Sequence, residues 1–239
     1  MDNIELLQKI MDESNKAVFF GGAGVSTESG IPDFRSQDGL YNLKYDYPPE
    51  EIVSHDFFKY RTEEFYNFYR DRMIYPQAKP NPAHIYLARL EKAGKLKCVI
   101  TQNIDGLHQE AGSKTVYELH GSVLRNHCLR CGKFYSVDFI VKSKGVPMCE
   151  CGGTVKPDVV LYGEGLDNKT VNLAVTAISR ADTLIIGGTS LAVYPAASFI
   201  DFFNGKNLVI INKASTPADS RANLVINDSI GKVFSQLKI

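Results

Sequence analysis

Short runs of valine, isoleucine, leucine and phenylalanine at 17–20, 97–101, 183–186 and 208–211 each lead into a polar or glycine-bearing segment. Between them, apolar residues return in helix-like patterns: Ile85, Leu87 and Leu90 within 82–93, and Val171, Leu173, Ala174 and Ile178 within 168–180. Strands alternating with amphipathic helices predict a mostly parallel sheet covered on both faces, an α/β architecture. At the start, Ile4, Leu7, Ile10 and Met11 stand at helical spacing among Asp, Glu and Lys. That stretch predicts an amphipathic helix and not the apolar core of a secretory leader, and no run approaches the length that spans a bilayer.

Two segments break the rhythm. Residues 39–75 are rich in aromatics and acids, contain Pro48-Pro49 and read as turns followed by a helix through 63–70. Residues 122–156 hold short strand-like pieces, glycines and four cysteines. Both read as insertions, which makes the sheet domain discontinuous: 1–37, 76–121 and 157–239, with a helical module at 38–75 and a metal module at 122–156. At 239 residues and 44% hydrophobic content the chain can bury a substantial core. Lys plus Arg and Asp plus Glu are both 27, so no global field draws it to nucleic acid or an anionic membrane, and neither is expected as a partner.

Cys128-x-x-Cys131 is followed after seventeen residues by Cys149-x-Cys151. Two close thiol pairs at that separation fit one tetrahedral zinc better than four unrelated cysteines. Four thiolates leave no open coordination position, so such a zinc would be structural. With neither a secretory leader nor a membrane span in its pattern the chain is expected in the cytoplasm, and a reducing compartment keeps thiols free, which favours metal over disulfides. Cys98, inside a strand pattern, reads as a small core residue.

The first strand enters Gly22-Ala23-Gly24-Val25-Ser26, the opening of a dinucleotide-binding turn, but Thr27 stands where a third glycine belongs and Ile31-Pro32-Asp33-Phe34-Arg35 follows. The Rossmann-like start therefore lacks the rest of the hydride-transfer fingerprint, including the acid that ends its second strand. Thr101-Gln102-Asn103-Ile104-Asp105-Gly106-Leu107-His108 leaves the next strand; it fits either a ligand crevice or a helix capped by Asn103 or Asp105. Leu119-His120-Gly121 puts an imidazole, suited to act as a base near neutral pH, at a strand end. Gly187-Gly188-Thr189-Ser190 and Asn212-Lys213 supply backbone amides, hydroxyls, an amide and a cation. Together these describe one ligand lying across several strand ends, its diphosphate near 22–26.

In order along nearly the whole chain, these motifs, with Leu191-x-Val193-x-Pro195-Ala196, resemble the sirtuins, NAD-dependent protein lysine deacylases of a type found in bacteria. The resemblance implies that Gly22, Ala23, Gly24 and Ser26 hold the NAD diphosphate. Asp33, with Ile31, Ile104 and Asp105 nearby, would bind the nicotinamide carboxamide; Phe34 would shield the reactive ribose carbon and Arg35 steady the loop. Gln102 would contact the ribose, Asn103 and Ser26 would order ribose and water, and His120 would be the general base. Gly188, Thr189, Ser190, Asn212 and Lys213 would line the phosphate and adenosine half, with Asp228, Ser229 and Ile230 closing on adenine. An acyl-lysine peptide would add as a strand between Val160, Leu161, Tyr162, Gly163 and Glu164 on one side and Val193 and Tyr194 on the other. The implied reaction passes the acyl group to ADP-ribose as nicotinamide leaves.

Three departures qualify the likeness. Tyr162 replaces a common phenylalanine, and the second cysteine pair is one residue tighter than usual. Members that prefer acidic acyl groups carry Tyr-x-x-Arg in the helical module, whereas here Tyr69 occupies the arginine position and Arg70 follows. One residue is about 100° around a helix, so Arg70 should point elsewhere and neutral acyl groups, acetyl first, are expected. Protein mono-ADP-ribosylation and a non-catalytic NAD-sensing role are the alternatives; His120, Asn103 and Asp105 together argue against the second.

Overall fold

The computed structural model describes residues 2–33 and 46–239. Its strands are β1 (Ala17–Gly21), β2 (Leu96–Thr101), β3 (Val116–Glu118), β4 (Gly121–Cys128), β5 (Phe134–Ser136), β6 (Val155–Val159), β7 (Thr183–Gly187), β8 (Asn207–Ile211) and β9 (Leu224–Ile226). Its helices are α1 (Asn3–Glu13), α2 (Pro49–Ile52), α3 (His55–Tyr60), α4 (Thr62–Arg72), α5 (Pro82–Lys92), α6 (Leu107–Glu110), α7 (Val137–Lys142), α8 (Asn168–Arg180) and α9 (Ile230–Phe234). A six-stranded sheet runs β3-β2-β1-β7-β8-β9, parallel throughout. Strand order reverses between β1 and β7, which opens a crevice at their carboxyl ends.

The strands read as unbroken apolar runs because both faces of this sheet are covered. Phe19, Val99, Ile185 and Val209 pack under α1, α5 and α9. Their neighbours Val18, Phe20, Cys98, Ile100, Leu184, Ile186, Leu208 and Ile210 pack on the opposite face with Ala174 and Ile178 of α8. Two residues of the helical patterns fall outside this scheme: Ile85 and Leu173 are 46% and 41% exposed. The buried face of α5 instead passes through Ala83, Tyr86, Leu87 and Leu90, a three-and-four spacing that turns Ile85 away from the sheet.

The segments 52–74 and 123–161 pack on each other. Ile52, Phe57, Phe58, Phe65, Tyr66 and Tyr69 from α2–α4 share one core with Val123, Ile140, Val155, Val159 and Leu161. Strands β5-β4-β6 form the antiparallel sheet of this small lobe. Phe65 stacks on Tyr69 with ring centroids 5.4 Å apart and meets Phe58 edge-on at 5.1 Å. Arg70 does point elsewhere: its Nε donates to the Ile140 carbonyl at 2.9 Å and its Nη2 to the Gly145 carbonyl, which ties α4 to the region of α7.

Candidate active site

The crevice is built where the turns after β1 and β7 touch. Gly24 N–H donates to the Gly188 carbonyl at 2.8 Å and Gly22 N–H to the Gly187 carbonyl at 3.2 Å. A Cβ on Gly24 would stand 2.8 Å from Gly188 Cα, and Gly188 itself has φ +58°, so both must be glycine for the turns to meet. After this contact the chain makes a short 3-10 turn over Ala23–Val25 and presents Ser26, which is 1% exposed.

Ser26 Oγ donates to Asp105 Oδ2 at 2.6 Å and accepts from Asn103 Nδ2 at 3.0 Å. Asp105 Oδ1 meanwhile accepts the Leu107 N–H at 2.9 Å. Asp105 is therefore not the cap of α6, a position Gly106 holds without a side-chain bond; one of its oxygens steadies the turn into that helix and the other joins the Ser26 cluster. Burial raises the Asp105 pKa, and the Ser26 and Leu107 contacts oppose the rise. Asn103 N–H is turned into place by Thr101 Oγ1 at 3.0 Å, and Gln102 Nε2 reaches Thr189 Oγ1 at 3.2 Å, which joins the β2 and β7 turns.

His120 follows β3, and its Nδ1 lies 3.0 Å from the Gln102 carbonyl. A carbonyl only accepts, so Nδ1 carries the proton and the neutral ring keeps its lone pair on Nε2. Burial lowers the His120 pKa, against the raising effect of the Gln102 carbonyl; the neutral form is therefore favoured at neutral pH. Gly121, at φ +75°, is required beside it, because a Cβ would stand only 1.7 Å from the Asp158 carbonyl oxygen.

The remaining positions divide by distance along the sheet. Ile31 N–H donates to the Ser26 carbonyl at 3.2 Å, which ties Ile31 to the cluster, and Asp33 follows two residues on, half-buried. Phe34 and Arg35 lie outside the described residues. Thr189 is buried, while Ser190 is exposed. Asn212 and Lys213 follow β8, where Asn212 Nδ2 donates to the Ala214 carbonyl at 2.8 Å. Asp228 engages Lys232 Nζ at 2.6 Å and the Ser229 N–H at 2.8 Å. Ile230 is 2% exposed and belongs to the core under β7, so its backbone is what it can offer a ligand.

Val160 N–H donates to the His120 carbonyl at 3.0 Å, which sets the 160–164 loop directly against the candidate base. Leu161 points into the small-lobe core, whereas Tyr162 and Tyr194 are 43% and 74% exposed. Cys98 is a core residue, its thiol pushed up to about 12 by burial.

The four clustered cysteines converge: their Sγ atoms all lie within 4.8 Å of one another. Cys128 Sγ is 3.5 Å from Cys151 Sγ, and Cys131 Sγ is 3.6 Å from Cys149 Sγ. A tetrahedron of thiolates on zinc, with bonds of about 2.3 Å, has edges of about 3.8 Å, so the donor set and spacing fit. Arg130 N–H at 3.3 Å and the Tyr135 hydroxyl at 3.1 Å are aimed at Cys128 and Cys149 sulfurs, as donors to thiolates are.

Two contributors have no signature of their own in the sequence. Asn81 caps α5 through the Ala83 N–H and also donates to the Val25 carbonyl at 2.7 Å and Ser29 Oγ at 3.0 Å, bracing the glycine turn from below. Asn81-Pro82 signals a helix start but not this second duty. Tyr135 could have been noticed only by its nearness to Cys131.

Fold and crevice define an open, parallel nucleotide-binding sheet with a small second lobe over its strand ends. Residues 22–195 match the Sir2 family, and the chain belongs to that family. It is 64% identical to an NAD-dependent protein deacetylase of Clostridium perfringens (strain 13 / Type A), with 99% of this chain and 98% of that protein covered. A protein of the same name from Clostridium acetobutylicum is 60% identical, with 98% and 97% covered. Among solved structures, a Sir2 with a p53 peptide and NAD+ superposes with a TM-score of 0.86 at 42% identity, covering 99% of this chain and 97% of that one. A Sir2 bound to a propionylated peptide gives the same score, identity and coverage.

Proposed function

We propose that this chain is an NAD-dependent protein lysine deacetylase that passes the acyl group of acyl-lysine to ADP-ribose and releases nicotinamide. The observation that carries the reading is the Ser26–Asn103–Asp105 cluster beside His120 at the strand-order reversal, on a chain 64% identical to a protein of that name. NAD supplies the ribose carbon that accepts the acyl oxygen as nicotinamide departs. Backbone amides of Gly22, Ala23 and Gly24, with Gly188 and Ser190, would hold its phosphates. Asp33, Ile104 and Asp105 would hold the carboxamide, and Phe34 and Arg35 would close over it. His120 Nε2 would take a proton from a ribose hydroxyl, while Asn103 and Ser26 orient the hydroxyls and the water that completes transfer. Asn212, Lys213 and the backbone of 228–230 would face the adenosine half.

The peptide would pair with the 160–164 loop and with Val193 and Tyr194. Acetyl is the favoured acyl group: Arg70 is committed to two carbonyls and the Tyr66 hydroxyl to the Val155 carbonyl, so neither meets an acyl carboxylate. Zinc on Cys128, Cys131, Cys149 and Cys151 would brace the lobe and perform no chemistry. A reducing cytoplasm suits four unoxidised thiols, and no helix among the described residues is long and apolar enough to cross a membrane.

The test is incubation with NAD and an acetyl-lysine peptide, followed by mass spectrometry. Deacetylated peptide, nicotinamide and O-acetyl-ADP-ribose in equal amounts are expected, and His120→Ala should lose about 10²- to 10⁴-fold in rate while still binding NAD. ADP-ribose attached to the peptide would identify a transferase instead; NAD binding without turnover would identify a sensing module.

A further inference from the structure

The loop assigned to the peptide is folded around one carboxylate. Glu164 Oε2 accepts the Leu161 N–H at 2.9 Å and the Lys156 ammonium at 3.1 Å, and Glu164 N–H donates to the Leu161 carbonyl at 2.9 Å. Its other oxygen, Oε1, has a partner from a distant part of the chain: His55 Nδ1 at 3.0 Å. A carboxylate only accepts, so Nδ1 must carry the proton. The same residue joins the loop through its backbone: His55 N–H donates to the Tyr162 carbonyl at 2.9 Å, and Tyr162 N–H to the Val53 carbonyl at 3.0 Å, a parallel bridge centred on Ser54. At its other end the loop is fixed by Val160 N–H on the His120 carbonyl at 3.0 Å. The segment is therefore held between the candidate base and the first residue of α3.

Side chain and backbone of His55 do different work here. The backbone bridge sets where the strand runs, and any residue at 55 can make it. The imidazole holds Glu164 and so fixes the turn that carries Tyr162 and Gly163, the part of the loop a peptide strand would meet. Lys156 Nζ is shared with the Val159 carbonyl at 3.0 Å and lies 17% exposed, so it cannot follow a displaced carboxylate far.

We propose that His55 is a positioning residue for the peptide substrate: through Glu164 it sets the 161–164 turn in register with His120, and so places the acyl-lysine at the reacting carbon. This rests on the deacetylase reading. His55 touches neither NAD nor the reacting atoms, and its loss acts on the peptide side alone.

The experiment compares wild type, His55→Ala and His55→Asn, whose side-chain amide nitrogen occupies the Nδ1 position. Acetyl-peptide affinity is measured by calorimetry, and KM and kcat are measured for peptide and for NAD. His55→Ala should weaken peptide binding and raise peptide KM about two- to fivefold, as expected for losing a contact to a charged group that is half exposed on the His55 side. Its kcat should fall less, its NAD KM and thermal midpoint should stay at the wild-type values, and His55→Asn should recover most of the loss. Peptide affinity unchanged in His55→Ala overturns the proposal, as does an NAD KM that rises in parallel or a loss that His55→Asn leaves in place. If wild type binds the peptide without turning it over, the deacetylase reading fails while the affinities still decide the role of His55. A wild type that binds no acetyl-peptide overturns both.

Discussion

The sheet domain and the small lobe bury similar side chains by different means. In the sheet domain, alternation along each strand sends neighbours to opposite faces, and helices close both sides with contacts that local patterns already specify. In the small lobe, one core is assembled from 52–74 on one side and 123–161 on the other. The joints are long-range and polar: Arg70 on the Ile140 and Gly145 carbonyls, Tyr66 on the Val155 carbonyl, and four sulfurs drawn together. One region is held by its own hydrophobic surface, the other by a few specific links. The candidate site draws on both, since His120 follows β3 of the sheet domain and its carbonyl accepts the Val160 N–H of the lobe-side 160–164 loop.

The largest break in this comparison should come from metal removal. Structural zinc sites on thiolates contribute on the order of 10 kcal/mol of folding free energy. A strong chelator, or Cys128→Ser, is expected to abolish peptide turnover and open the lobe while the six-stranded sheet keeps its amide protection. Hydrogen exchange read strand by strand checks this, and loss of protection in β1 and β7 alongside β4 and β6 would show that the two regions fold as one.

Acid should load the sheet domain as well. His84 and His108 face each other in the sheet domain with ring centroids 4.7 Å apart, at 0% and 1% exposure. Burial lowers His84 from 6.5 to about 4 despite the raising influence of Glu110, and lowers His108 to about 3, with His84 adding to the effect. An unfolded chain takes up these protons near pH 6.5, the folded one only near 4 and 3, so stability is full above 6.5 and falls as pH drops through that window. For His84 the loss is on the order of 3 kcal/mol. Denaturant midpoints from pH 7 to 4 should therefore fall steeply in wild type and less in His108→Phe; equal slopes would remove the pair from the account.

The smallest effect sharpens the picture of the lobe's core. Tyr69 is 1% exposed, and its buried hydroxyl has no partner among the described residues. Tyr69→Phe keeps the stack on Phe65 and relieves an unpaired polar atom, so stability should rise by up to about 1 kcal/mol. A fall in the thermal midpoint would reveal a partner for that hydroxyl.

The sequence made the sheet legible because its strands are buried on both faces and end in glycine and hydroxyl residues at the crevice. The metal site was legible for a related reason, as two close pairs constrain geometry within a short span. What stayed hidden depends on meetings between distant segments: the common core of the two insertions, the Asn81 brace under the glycine turn, and the His55–Glu164 contact. Asp105 remained ambiguous because residue type does not reveal that each of its two oxygens serves a different purpose. Ile85 misled because an apolar residue in a helix announces a face only together with its neighbours three and four positions away.

The backbone contact between Gly24 and Gly188 has a meaning for anyone redesigning the pocket. A side chain at either position would collide with the main chain of the other, which no rotamer change can relieve. The two turns thus behave as a single locus split across 164 positions of sequence: a library that varies one of them alone samples only failures, and useful diversity must enter through neighbours such as Ala23 and Ser190, or through both turns rebuilt at once.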